Sequence, residues 1–166
     1  MYTLSDIWRG LRNHRAAGRE LNRLVYRAGT DGEYNDRGTN FLEEDWDNLV
    51  ILDACRYDMF TEVTELPGET EYRISRGAAT YEFIRSNFAG KRLHDTVYVG
   101  ANTWFLKLQD EIDAEVHDFI DLQHGGNGVE FAVEKLNVPS PESVTAAARE
   151  ANERYPNKRL IIHYLQ

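Results

Sequence analysis

The sequence predicts an α/β fold with a mostly parallel, doubly wound sheet. Short apolar runs that are typical of buried strands alternate with stretches whose apolar residues recur at helical spacing. The chain has 166 residues, of which 42% are hydrophobic, so one domain can bury a substantial core. No run of 18 or more apolar residues occurs, and a transmembrane helix is therefore not expected.

The chain opens with a predicted basic amphipathic helix over residues 3–27. Its apolar residues recur at roughly helical spacing, and six arginines lie between them. Residues 1–29 carry a net charge of +4, whereas the remaining residues carry −13. Two interpretations stay open: the helix packs on its own acidic domain, or it contacts a membrane surface or a partner.

Residues 30–45 are rich in Gly, Asp and Asn and predict a linker, so that 46–166 form the α/β domain. Apolar runs predict strands at residues 48–53, 95–100, 116–120 and 159–165. Helices are expected at 78–88 and from Ser140 to Arg154, where Ser140 can cap the helix and Pro141 suits its first position. The last strand ends without a following loop, which predicts the N-terminal portion of a longer protein, incomplete at its C-terminus.

The charge and the single cysteine restrict the possible partners and the cellular setting. A net charge of −9 repels a phosphate backbone, so no nucleic-acid partner is expected. Few lysines and many acidic residues suit a halophilic source. The single cysteine, Cys55, excludes an internal disulfide framework and indicates a reducing compartment, hence a cytoplasmic setting with possible peripheral membrane contact through residues 3–27.

The first candidate for chemistry follows the first predicted strand. Asp53 stands at the end of that strand, where a carboxylate can bind a divalent metal ion. Arg56 can hold a tetrahedral anion, and Asp58 can orient Arg56. The competing interpretation is a helix cap beside a surface ion pair. Cys55 is better explained as a small filler than as a nucleophile.

A second candidate precedes the helix predicted at residues 78–88. Small residues and hydroxyls run from Ser75 to Thr80, and a helix N-terminus suits an oxyanion and a hydroxyl nucleophile. A simple N-cap explains the same pattern. The five histidines form no metal-binding pair. His124, beside two glycines, is the most site-like, and His163 faces either the core or the crevice.

Three segments together resemble the N-terminal half of sulfatase-like hydrolases of the alkaline phosphatase superfamily, including haloarchaeal-type members. They are LDACRYD (52–58), SRGAATYEF (75–83) and RLIIHYLQ (159–166). The resemblance implies that Asp53 ligates a metal ion and that Thr80 is the nucleophile, with Arg56 or Arg76 stabilising the tetrahedral centre. The formylglycine pattern Cys-x-Pro-Ser-Arg does not occur, which favours a Thr-dependent enzyme.

The implied function is hydrolysis or transfer of sulfate or phosphate esters that depends on a divalent metal ion (Mg, Mn, Ca or Zn). The implied substrates are small-molecule, glycan or lipid-head-group esters. With the later metal ligands of the family absent, this chain is expected to be weakly active or inactive. The alternative is a non-catalytic α/β module that docks through its basic N-terminal helix.

Overall fold

A computed structural model of the chain describes residues 34–123 and 138–165. Within these ranges the sheet has four strands, all parallel, in the order β1–β4–β2–β3. They are β1 (Asn48–Leu52), β2 (Arg92–Gly100), β3 (Glu115–Asp121) and β4 (Arg159–Tyr164). The prediction of an α/β fold with a parallel sheet is confirmed.

In the described ranges, four α-helices connect or flank these strands. They are α1 (Tyr57–Val63), α2 (Thr80–Phe88), α3 (Trp104–Leu108) and α4 (Pro141–Arg154), and a short 3-10 helix (Phe41–Glu43) precedes β1. The start of α4 follows the sequence prediction, because the Ser140 hydroxyl accepts a hydrogen bond from the Ser143 amide at 3.2 Å. In the described part of the chain, no helix has the length and apolar character that crossing a bilayer requires.

Two apolar clusters lie on opposite faces of the sheet. On one face Tyr98 of β2 and Ile161 of β4 belong to a cluster with residues of α2 and α3. On the other face the neighbouring residues Val97, Val99 and Leu160 cluster with residues of α4. The second half of β2 and the centre of β4 are therefore buried on both faces, which explains the short apolar runs in these parts of the two strands.

Residues 34–45, predicted as part of a linker, contact the body of the domain. The backbone amides of Asn35 and Thr39 donate to the carbonyls of Arg76 and Ile74 at 2.8 and 2.9 Å. The ring of Phe41 stacks on Phe83 of α2, with 5.2 Å between the ring centroids. The helix predicted at residues 3–27 lies outside the described residues, as do His124 and most of its glycine-rich loop.

Large apolar side chains stay exposed along one stretch of the chain. In α1 no residue is buried, and every residue from 65 to 75 is exposed. Tyr57 and Tyr72 meet edge to face, with 5.8 Å between their ring centroids, so α1 and the following loop lie against each other. We call residues 57–74 the 57–74 surface; its exposed apolar side chains are Tyr57, Met59, Val63, Leu66, Tyr72 and Ile74.

Candidate functional site

The carboxyl edge of the sheet brings together polar side chains from three adjacent strands. Asp53 directly follows β1, His163 lies near the end of β4, and Asn102 comes two residues after β2. Because β1 and β2 flank β4 in a parallel sheet, the ends of these strands meet at one crevice. Thr80, the first residue of α2, completes the group.

The backbone around Asp53 is held in a tight turn. The Asp53 amide donates to the Tyr164 carbonyl at 3.1 Å, and the Cys55 amide donates back to Leu52 at 3.2 Å. Between them Ala54 adopts a left-handed conformation with φ of 62°, which a residue with a Cβ atom seldom adopts. Such local strain is concentrated at functional positions in proteins, and here it lies directly beside Asp53.

Three neighbours converge on one oxygen of Asp53. The Thr80 hydroxyl donates to Asp53 Oδ2 at 2.8 Å, and the Asn102 amide group lies 3.4 Å from the same atom. His163 Nε2 is 3.5 Å away, at the long limit of a hydrogen bond. The Asp53 side chain keeps 22% of its surface exposed, whereas His163 keeps only 1%. The carboxylate is thus anchored from the protein side and open to a ligand.

A buried tyrosine contacts the inner nitrogen of His163. Tyr98 is fully buried, and burial, reinforced by the charge of Asp53, raises its pKa far above the usual value. Its hydroxyl therefore stays protonated and shares a hydrogen bond of 2.6 Å with His163 Nδ1. Nε2 points toward the Asp53 carboxylate, which can only accept, so a favourable contact there needs a proton on Nε2. In the described residues Nε2 has no hydrogen-bond partner within normal limits.

The surroundings of Asp53 keep it ionised. The close approach of the His163 imidazole lowers the pKa of Asp53 most, burial opposes this effect, and the hydrogen bond from Thr80 lowers the pKa further. The net result is a pKa below the usual 3.8. At neutral pH the site therefore presents a negatively charged acceptor beside the Thr80 hydroxyl.

The two arginines predicted for the site make other contacts. Arg56 precedes α1 and pairs with Asp58, with Arg56 Nε donating to Asp58 Oδ1 at 3.0 Å, and both side chains are exposed. Arg76 Nη1 donates to the Ser86 carbonyl in α2 at 2.7 Å, and its guanidinium lies over the Tyr34 ring. The structure thus brings together Asp53 and Thr80, while Arg76 supports the packing of α2 and Arg56 lies beyond the turn at Ala54.

The fit of a divalent metal ion at Asp53 depends on further ligands. Across residues 34–123 and 138–165, no three His, Cys, Asp or Glu side chains are grouped to hold a metal ion. The Oδ2 atom of Asp53 is also already an acceptor for Thr80 and Asn102. These residues alone do not fit a hard cation, which takes about six oxygen ligands. The metal ion at Asp53 stays a prediction.

Sequence reasoning overlooked Asn102 and Tyr98 and left the direction of His163 open. Asn102 had a usable signal, because it is a polar residue shortly after the carboxyl end of a predicted strand. Tyr98 had none, since an aromatic residue inside an apolar run predicts core. His163 combines both earlier alternatives: its ring is in the core, and one nitrogen faces the crevice.

Comparison with known proteins gives one sequence similarity. The chain is 32% identical over 84 residues to the Replication factor C small subunit of Methanosarcina acetivorans. The match covers 48% of this chain and 25% of the relative, so the chain spans about a quarter of that protein's length. No family model matches the chain, and no solved structure matches it.

This similarity corrects several expectations from the sequence. The resemblance to sulfatase-like hydrolases is wrong, because the matching protein is named as a replication factor subunit. The ester-hydrolase function built on that resemblance, and its ester substrates, are wrong for the same reason. The docking module that was the alternative gains no support from the match. The expectation that nucleic acid is not a partner is contradicted by the same match. That expectation relied on net charge alone.

Proposed function

We propose that the carboxyl edge of the sheet binds a small ligand rich in hydrogen-bond donors, and that a nucleoside or nucleotide is the ligand class. The observation that carries the proposal is the ionised Asp53 carboxylate, held by Thr80, Asn102 and His163 and still partly exposed. In α/β proteins a carboxylate in this region commonly accepts hydrogen bonds from ribose hydroxyls.

The ligand class follows from charge and from the similarity. A protein named for replication shares part of the sequence, which favours a ligand from nucleic-acid chemistry. The negative charge of Asp53 itself favours a ligand that presents hydroxyl or amino donors to it over one that presents phosphate there. No glycine-rich phosphate loop of the Walker or Rossmann type is present in the sequence, so recognition would depend on sugar hydroxyls and base amino groups.

Each residue has a defined part in this proposal. Asp53 accepts hydrogen bonds from the ligand, and Thr80 adds a hydroxyl whose own proton is already directed to Asp53. Asn102 and His163 keep the carboxylate in place. Arg56, exposed at the same edge, would reach the phosphate of a nucleotide if it left Asp58. We infer a cytoplasmic setting from the single cysteine.

Isothermal titration calorimetry of the chain with ribonucleosides, their 5′-monophosphates and 2′,3′-dideoxynucleosides tests the proposal. We expect ribonucleosides to bind more tightly than dideoxynucleosides, because the latter lack the hydroxyl donors. Asp53→Asn should weaken binding about 10-fold or more, the size of a lost charged hydrogen bond.

The matched control is Asp58→Asn, which removes an exposed carboxylate five residues away and should leave ribonucleoside affinity unchanged. Thermal unfolding of both variants checks that they fold. Equal affinity in the Asp53→Asn protein, or no binding of any nucleoside by the unaltered chain, would show that the proposal is wrong.

A further inference from the structure

We propose that the N-terminal segment, residues 3–27, docks on the 57–74 surface of its own chain. The first reason is the size of the apolar area that the described residues leave uncovered. Val63 and Leu66 are 76% and 74% exposed, and Tyr57, Met59, Tyr72 and Ile74 are all more than 40% exposed. Exposed apolar side chains that cluster, as Tyr57 and Tyr72 do, usually mark an interaction site.

The path of the chain brings the segment to this surface. Tyr34, the first described residue, lies beside Arg76, and the next residues pair with the backbone at 74–76. Asn35 also donates from its side chain to the Ser75 carbonyl at 3.3 Å. Six residues separate Arg27 from Tyr34, so the two residues lie at most about 25 Å apart. The segment is therefore tethered beside one end of the surface, where the tether gives it a high effective concentration.

The chemistry of the two partners is complementary. The 57–74 surface contains five acidic residues and one arginine, a net charge of −4. Residues 3–27 contain six arginines and two acidic residues, a net charge of +4. The segment also carries apolar residues at helical spacing, namely Leu4, Ile7, Trp8, Leu11, Leu21, Leu24 and Val25. A basic amphipathic helix in an apolar, acid-rimmed surface is a common recognition mode.

Paramagnetic relaxation enhancement in the full chain tests the proposal without any added cysteine. Cys55, the one cysteine in the sequence, lies two residues before α1 and accepts a nitroxide spin label. We expect the amide signals of residues 3–27 to broaden in the labelled, ¹⁵N-enriched chain. The extent of broadening should stay the same on dilution, because the contact is within one chain. The double substitution Met59→Asp, Val63→Asp should reduce this broadening several-fold, because it removes apolar contact and adds like charge.

The matched control is Ala146→Asp, which adds a charge at an exposed position of α4 and should leave the broadening unchanged. A second measurement avoids the label. Amide hydrogen exchange at residues 57–74 should be slower in the unmodified chain than in a Leu21→Asp, Leu24→Asp variant.

Three results would overturn the proposal. In the first, the signals of residues 3–27 do not broaden, and the Leu21 and Leu24 substitutions do not change amide hydrogen exchange at residues 57–74. Another is broadening only between separately labelled chains, which would make a second copy the occupant. The third is co-sedimentation of the chain with anionic lipid vesicles that the Met59 and Val63 substitutions abolish, which would assign the surface to a membrane.

Discussion

At the scale of single residues, the main feature is a series of polar contacts from Tyr98 through His163 and Asp53 to Thr80. Its inner end is buried, and its outer end reaches the crevice. The tyrosine hydroxyl holds the imidazole through Nδ1, and the approach of the imidazole to Asp53 favours the charged form of the carboxylate. The charge available to a ligand is therefore set by groups that the ligand never touches.

The lowered pKa of Asp53 predicts how its contribution to stability depends on pH. A carboxyl group with a depressed pKa in the folded state stabilises the protein fully above its unfolded-state pKa, about 3.8, and loses that contribution as pH falls through the folded-state pKa. The difference in unfolding free energy between the unaltered chain and Asp53→Asn should thus be largest above pH 5 and shrink below pH 3.8. Urea unfolding from pH 2.5 to pH 7 measures it; a difference that grew on acidification would contradict the assignment.

Removing the Tyr98 hydroxyl should destabilise the domain because it leaves His163 Nδ1 buried without a donor. We expect Tyr98→Phe to cost about 1–3 kcal/mol, the range for an unsatisfied buried polar group. The control is Tyr155→Phe, which removes a hydrogen bond of equal length, 2.6 Å, from a half-buried tyrosine to Asp118. Its cost should be smaller, since water can replace the lost partner. Equal costs in thermal unfolding would argue against a strained, dry environment for His163.

At the scale of secondary-structure elements, the site depends on how closely the loop before α2 approaches that helix. A Cβ atom at Gly77 would lie 2.3 Å from the Phe83 backbone nitrogen. Because the atom it would meet belongs to the backbone, no side-chain rotation can remove the clash. The loop can therefore reach the helix only with glycine at this position. This approach sets where Thr80 begins α2, and hence where its hydroxyl meets Asp53.

Gly77→Ala should move the N-terminus of α2 and lower the stability by about 1–3 kcal/mol, as overpacking does elsewhere. It should also weaken ligand binding at Asp53, because the Thr80 hydroxyl shifts with the helix. The control is Gly68→Ala. A Cβ atom at Gly68 would meet no other atom within 4 Å, so this substitution affects only the backbone conformation, which has a φ of 139°. Calorimetry of unfolding and of ribonucleoside binding measures both effects. If Gly77→Ala left both unchanged, the close approach would have no role in positioning Thr80.

Some elements were predictable from the sequence for clear physical reasons. The central strands are apolar on both faces, and α4 carries its own cap and proline, so both leave local signals. Helix α1 leaves none, since it buries no residue and has no apolar face toward the core. In the site, Asp53 and Thr80 each had a local signal, but their contact spans 27 residues. The contact of His163 with Asp53 depends on strand order, which no local pattern encodes.

At the scale of the whole molecule, the domain is asymmetric in how well its apolar surface is covered. The second half of β2 and most of β4 are packed on both faces, whereas Val50 and Leu52 of the edge strand β1 and the 57–74 surface stay exposed. The proposed docking of residues 3–27 would reduce this uneven coverage.

The strand order also has a consequence for synthesis on the ribosome. Strand β1 emerges before β4, and among the described strands β4 is its one partner, since Asn48 pairs with Leu160, about 110 residues later. Until that point β1 has an unpaired edge, and the crevice at Asp53 lacks His163 altogether. A nascent chain with such long-range pairing folds late and exposes a strand that can pair wrongly. The acidic residues that follow β1 would then reduce aggregation through this strand until β4 has been synthesised.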